Sequence, residues 1–106
     1  MATQTGDQPI LFTMRIKTAD WDKLKRANDQ VFGGLIDEAR QSGLISSKVY
    51  RSEADPNDVL FVSEWRSHES LHDFGDKHGD RFNEIAGVTG EDWEDVAWRL
   101  SDARVL

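Results

Sequence analysis

The hydrophobic period of this sequence switches between two values in a fixed order, and few folds accommodate that order. Ile10, Phe12, Met14 and Ile16 alternate with Leu11, Thr13 and Arg15, which is the spacing of a strand over Ile10–Ile16. Trp21, Leu24, Ala27, Val31, Leu35 and Ala39 then recur at helical spacing, predicting a helix over Ala19–Ser42 capped by Thr18 or Asp20 and closed by Gly43. Gly33-Gly34 interrupts it at a cost of about 1 kcal/mol per glycine, which calls for a kink or a close backbone contact. Two further strands, Ser46–Ser52 and Val59–Trp65, flank the turn residues Glu53 to Asp58 and read as an antiparallel hairpin. Ser67 caps a second helix that ends near Ala86 with Gly87 beyond. After the loop Val88 to Glu91 comes a last strand, Asp92–Leu100, with Val96, Trp98 and Leu100 on one face.

The order is therefore β-α-β-β-α-β. Two β-α-β units joined by a hairpin give the ferredoxin-like α+β arrangement, a four-stranded antiparallel sheet with both helices on one face. The face carrying Ile10, Phe12, Met14 and Ile16 is expected to meet the helices. The other is expected to hold Leu11, Thr13, Tyr50, Leu60, Val62 and Ala97 among Arg15, Lys48, Glu64 and Arg99. That mixture is too apolar for water and too polar for a sealed core. A second copy of the sheet would cover it, so a homodimer is expected.

Composition narrows the function. The 106 residues leave room for one domain and one modest core, expected over residues 10–106 after a flexible polar leader, residues 1–9. Twenty acidic against 13 basic residues give a net charge of -7, which speaks against nucleic acid and anionic membrane surfaces as partners. The absence of cysteine excludes disulfides, thiolate catalysis and cysteine-ligated metals. The leader lacks the apolar stretch of a signal peptide and no run spans a bilayer, so a cytoplasmic location is the default expectation.

Lys48-Val49-Tyr50-Arg51-Ser52, the turn Asp55-Pro56-Asn57 and Glu64-Trp65-Arg66-Ser67-His68-Glu69-Ser70-Leu71 carry a resemblance. The chain resembles the dimeric α/β-barrel superfamily and, within it, the antibiotic biosynthesis monooxygenase domain, which often has a His followed by a Phe where His78 and Phe82 stand. The resemblance runs from about Ile10 to Leu100. It implies the fold already read from periodicity, but superfamily members differ in activity, so function must be argued from the site.

Along the second helix, at ~100° per residue, Leu71, Phe74, Phe82 and Ile85 define an apolar stripe with His78 near its centre. An imidazole aimed at the sheet is what a pocket base looks like. A buried histidine bonded to a neighbouring carbonyl or hydroxyl fits the same position. His68 and His72, four apart, can present two nitrogens to one metal. No third ligand is indicated beside them, and they read as surface histidines with no metal site. On the first helix Asn28 points inward among Leu24, Val31 and Leu35, either to steady an oxyanion or to bond backbone. Phe12, Phe61, Trp65 and Trp98, with Phe74 and Phe82, form walls for a flat ligand or simply a core. Arg51 is a candidate anion anchor or a solvated strand-end arginine. Glu91-Asp92 and Glu94-Asp95 around Trp93 read as a solvated loop and strand start.

The resemblance implies a cofactor-independent monooxygenase, an oxidoreductase acting on a small aromatic or polyketide-like substrate bound between sheet and helices. In that reading His78 moves the proton, Asn28 holds the oxyanion, and Trp65 and Trp98 shape the chamber. Haem-degrading relatives rely on an Asn in the first strand and a Trp on the second helix, and this chain has neither. A dimeric-barrel cyclase or isomerase, and a non-catalytic dimer that binds a small apolar molecule, are the alternatives.

Overall fold

Strand β1 (Ile10–Lys17) is the axis of the molecule because neighbours hydrogen-bond to both of its edges. The computed structural model describes residues 8–18 and 20–104, so the first seven residues of the expected leader and the expected helix start at Ala19 lie outside the described residues. The remaining strands are β2 (Leu44–Arg51), β3 (Asp58–Trp65) and β4 (Glu94–Arg99). All pairs are antiparallel in the order β2-β3-β1-β4, the ferredoxin-like topology.

The register sorts side chains strictly between the two faces, since neighbours on a strand point opposite ways. Phe12 stands opposite Ser63 and Ala97, and Met14 opposite Phe61 and Asp95. These rows face the helices together with Ile10, Ile16, Val59 and Trp65, which are almost fully buried. The outward rows contain Leu11 with Glu64 and Trp98, Thr13 with Val62 and Val96, and Arg15 with Leu60 and Glu94.

One sequence expectation is corrected by this register. Ala97 and Arg99 lie on the helix-facing side of β4, while Val96 and Trp98 point outward, with Trp98 51% exposed. The indole Nε1 of Trp98 donates to Thr13 Oγ1 at 2.9 Å on that outer face. The strand is also shorter than expected. Residues Gly90–Asp92 form a 3₁₀ turn closed by the Thr89 amide donating to Asp92 Oδ2 at 2.8 Å, and Leu100 lies beyond the ladder. A one-residue difference in phase exchanges every side chain between faces.

The first helical segment is not continuous. Helix α1 (Trp21–Asn28), capped by Asp20 Oδ1 accepting from the Lys23 amide at 3.1 Å, runs into a π-helical turn, Asp29–Gly33. Gly34 N donates to Asp29 O at 2.9 Å, closing the wider loop. A Cβ on Gly34 would lie 2.5 Å from the carbonyl oxygen of Gln30, so a close backbone contact accounts for Gly34, whereas one on Gly33 would meet nothing within 4 Å and that residue marks only the break in the helix. Helix α2 (Ile36–Ser42) ends at Gly43, whose φ of 126° suits glycine and whose missing Cβ makes room for Ser70. The Arg66 amide donates to Gly43 O at 2.8 Å, fixing this corner against the start of the next helix.

Between β2 and β3, Ser52 Oγ accepts from the amides of Ala54 and Asp55, and Asp55 Oδ1 accepts from that of Asn57. These bonds make the reversal that the composition foretold. Strand β2 begins two residues earlier than expected because a bulge after Leu44 expels Ile45, which is 54% exposed. Helix α3 (His68–Ala86) follows the expected span, with Ser67 Oγ accepting from the Ser70 amide at 3.1 Å and Gly87 left-handed at φ 72°.

Candidate functional site

The helices bury their apolar stripes on the sheet, but they do not fill the space over β1 and β4. A cavity of about 420 Å³ remains between α3 and the inward rows of β3, β1 and β4. Phe12 and Met14 form its sheet side, with Asp95 and Ala97 at the rim. All six residues of β4 are exposed, so the cavity opens to solvent along that strand.

Its walls are overwhelmingly apolar and aromatic. Phe61, Phe74, Phe82, Phe32 and Trp93 all line it, and their rings contact one another edge-on or tilted at centroid distances of 5.6–6.1 Å. Trp65, 1% exposed, contributes the end near the N-terminus of α3 and donates from Nε1 to Ser63 Oγ at 2.8 Å. Two glycines of α3, Gly75 and Gly79, also face the cavity, and a Cβ on either would meet nothing within 4 Å. Each costs about 1 kcal/mol of helix propensity, and both keep the cavity wide.

His78 is the least exposed of the three histidines that line this cavity. Its side chain is 15% exposed, it lines the cavity, and its ring lies 4.7 Å from that of Phe74. Nε2 stands 2.5 Å from Glu38 Oε2 on α2, and Lys77 Nζ lies 3.3 Å from the same oxygen. The hydrogen bond from His78, followed by Lys77, holds the Glu38 carboxyl below its ordinary range, against the opposing effect of burial. On the opposite rim, partial desolvation against the cavity wall pushes the Asp95 carboxyl up, although the residue as a whole is exposed.

The other sequence candidates divide plainly. Phe12, Phe61, Trp65, Phe74, Phe82 and His78 converge on one cavity. Trp98 does not, because it faces outward. Arg51 is engaged elsewhere: Nε donates to Pro56 O at 2.8 Å and the guanidinium sits 4.6 Å above the Trp21 ring. Asn28 is absent from the cavity wall, and its Oδ1 is buried with no hydrogen-bond partner among the described residues. His68 and His72 line the cavity mouth with Nε2 atoms 2.8 Å apart, and among the described residues no cluster of three His, Asp or Glu side chains surrounds them.

Three wall or neighbouring residues escaped the sequence reading. Trp93, only 8% exposed, plugs into the core from an acidic loop, with Nε1 donating to Asn83 Oδ1 at 2.9 Å. The signal was present, since an indole is costly to leave in water whatever its neighbours. Phe32 turns inward because the π-helical turn adds a residue and lets both Val31 and Phe32 reach the core. Glu38 meets His78 across 40 positions of sequence, which no local pattern reports.

The comparisons agree with this architecture. A monooxygenase of Streptomyces coelicolor, ActVA-Orf6, solved with nanaomycin D, superposes with a TM-score of 0.70 at 14% identity, covering 94% of each chain. A Caulobacter crescentus structure ascribed to the antibiotic biosynthesis monooxygenases gives 0.73 at 11% identity over 92% of this chain and 94% of the other. A dimeric ferredoxin-like protein from an uncultured marine organism gives 0.67 at 15% identity over 97% and 96%. At such identities these neighbours establish the fold alone, and no curated protein matches the sequence. The sequence model of the antibiotic biosynthesis monooxygenase family matches residues 15–78, more than half of the chain, and the chain belongs to that family.

Proposed function

We propose that the protein is a cofactor-independent monooxygenase acting on a small aromatic or polyketide-like substrate held in the cavity, and that it works as a homodimer. The observation that carries this reading is the ring of His78 on the wall of an apolar cavity of about 420 Å³. A flat substrate stacks on Phe61, Phe74 and Trp93, with its acidic C–H toward the imidazole. His78 takes that proton, and the apolar walls leave the carbanion unsolvated and reactive. Dioxygen adds to the carbon, the O–O bond breaks, the carbon becomes a carbonyl, and the second oxygen leaves as water with the two hydrogens of the original methylene. Family membership and the likeness to ActVA-Orf6 support the same reaction class. The cyclase alternative loses its tyrosine, since Tyr50 lies in the outward row with Leu60.

The test is oxidation of 1,8-dihydroxyanthrone, followed by oxygen uptake and by quinone absorbance. His78→Ala is expected to lower turnover by about 10²- to 10⁴-fold, the usual worth of a general base, with circular dichroism and oligomeric state unchanged. Equal turnover by the variant overturns the assignment. Absence of both turnover and any change in tryptophan fluorescence with a series of anthrones and quinols overturns the enzymatic reading as a whole.

A further inference from the structure

We propose that Glu38 is the positioning residue of His78: it accepts the Nε2 proton and thereby presents Nδ1, as a lone pair, to whatever occupies the cavity. The inference rests on the reading of His78 as the base and extends it to a residue on another helix. A neutral imidazole carries one N–H, and the nitrogen that donates fixes the other as acceptor. Nε2 lies within hydrogen-bond reach of Glu38 Oε2, at 2.5 Å, whereas Nδ1 has no hydrogen-bond partner among the described residues.

The surroundings keep Glu38 in the state this role needs. Lys77 approaches the same carboxylate oxygen at 3.3 Å, so the group stays ionised and able to accept. Glu38 itself is not on the cavity wall, so it acts through His78 and not on the substrate. When Nδ1 takes a proton, the imidazolium that forms stands directly against the Glu38 carboxylate. The bond also stops the ring from rotating about its stem, so the accepting nitrogen keeps one direction.

Two readouts test this, one of them independent of any substrate. In the proton NMR spectrum the native protein is expected to show a solvent-protected, strongly downfield imidazole N–H resonance. It is lost in Glu38→Ala and in His78→Ala, and moves upfield but persists in Glu38→Gln, whose amide oxygen still accepts. Its absence from the native protein, or its survival in Glu38→Ala, overturns the proposal. With 1,8-dihydroxyanthrone, Glu38→Ala is expected to lower kcat by about tenfold or more with KM unchanged, and Glu38→Gln to fall between the two. An inter-helix tie alone would lower the melting temperature and leave kcat as it was, and that result also overturns the proposal. If instead His78→Ala keeps full turnover, the base assignment is what fails, while the resonance still decides whether Glu38 holds the ring.

Discussion

Gly34 and Gly79 are chemically identical, yet their surroundings assign them opposite costs. A Cβ on Gly79 meets open space, whereas one on Gly34 would strike the Gln30 carbonyl at 2.5 Å. Gly79→Ala is therefore expected to stabilise the fold by about 1 kcal/mol through helix propensity, raising the melting temperature by roughly 4–8 °C. Gly34→Ala is expected to lower it, because backbone must move; thermal unfolding followed by circular dichroism reads both signs. The bulkier Gly79→Leu should keep the fold and exclude ligand, seen as loss of the tryptophan fluorescence change on adding an anthrone. Helical spacing sufficed to put His78 and its phenylalanine neighbours on one wall, because α3 is regular throughout. Trp93 and Glu38 were not legible in the same way. One enters the core from irregular backbone, and the other matters only through a partner 40 residues away.

Elements repeat the lesson with different physics. The order, topology and helix caps followed from periodicity and cap chemistry alone, since Ser67, Asp20, Gly43 and Gly87 each satisfy a local backbone requirement. The phase of β4 did not, because the usual rule sends the largest apolar residue inward, and here Trp98 faces out while Ala97 faces in. Across the outer face, Arg15 of β1 donates from Nε and Nη2 to the two carboxylate oxygens of Asp58 at 2.9 and 2.7 Å, tying β1 to the start of β3. The hydrogen bond from Arg15 holds the Asp58 carboxyl below its ordinary 3.8. A carboxyl depressed by folding adds stability above its unfolded value and loses it as pH falls through the folded one. Asp58→Asn is accordingly expected to be less stable than the native protein at neutral pH. That gap should shrink as the pH is lowered below about 4, and urea unfolding at pH 7 and pH 3 measures it.

At the scale of the whole molecule the unsolved surface is the outward sheet. Leu11, Val96, Trp98 and Tyr50 are each at least 40% exposed there, beside the partly buried Leu60 and Val62. Exposed apolar side chains gathered on one face mark a contact surface, and a two-fold copy would bury them against itself. Trp98→Lys is expected to shift the proposed dimer to monomer at micromolar concentration in sedimentation velocity, because tryptophan is a usual anchor of such contacts. A native protein that sediments as a monomer would overturn the dimer.

The strict alternation of β1 joins these scales. Phe12 and Met14 form the sheet side of the cavity, and in the proposed dimer the alternating residues Leu11 and Thr13 face the second copy. In that dimer one ribbon of backbone would serve both, and a shift that admitted a guest would also move the contact with the second copy. Guest affinity and self-association would then be coupled in both directions, and the tightness of binding would depend on how concentrated the protein is.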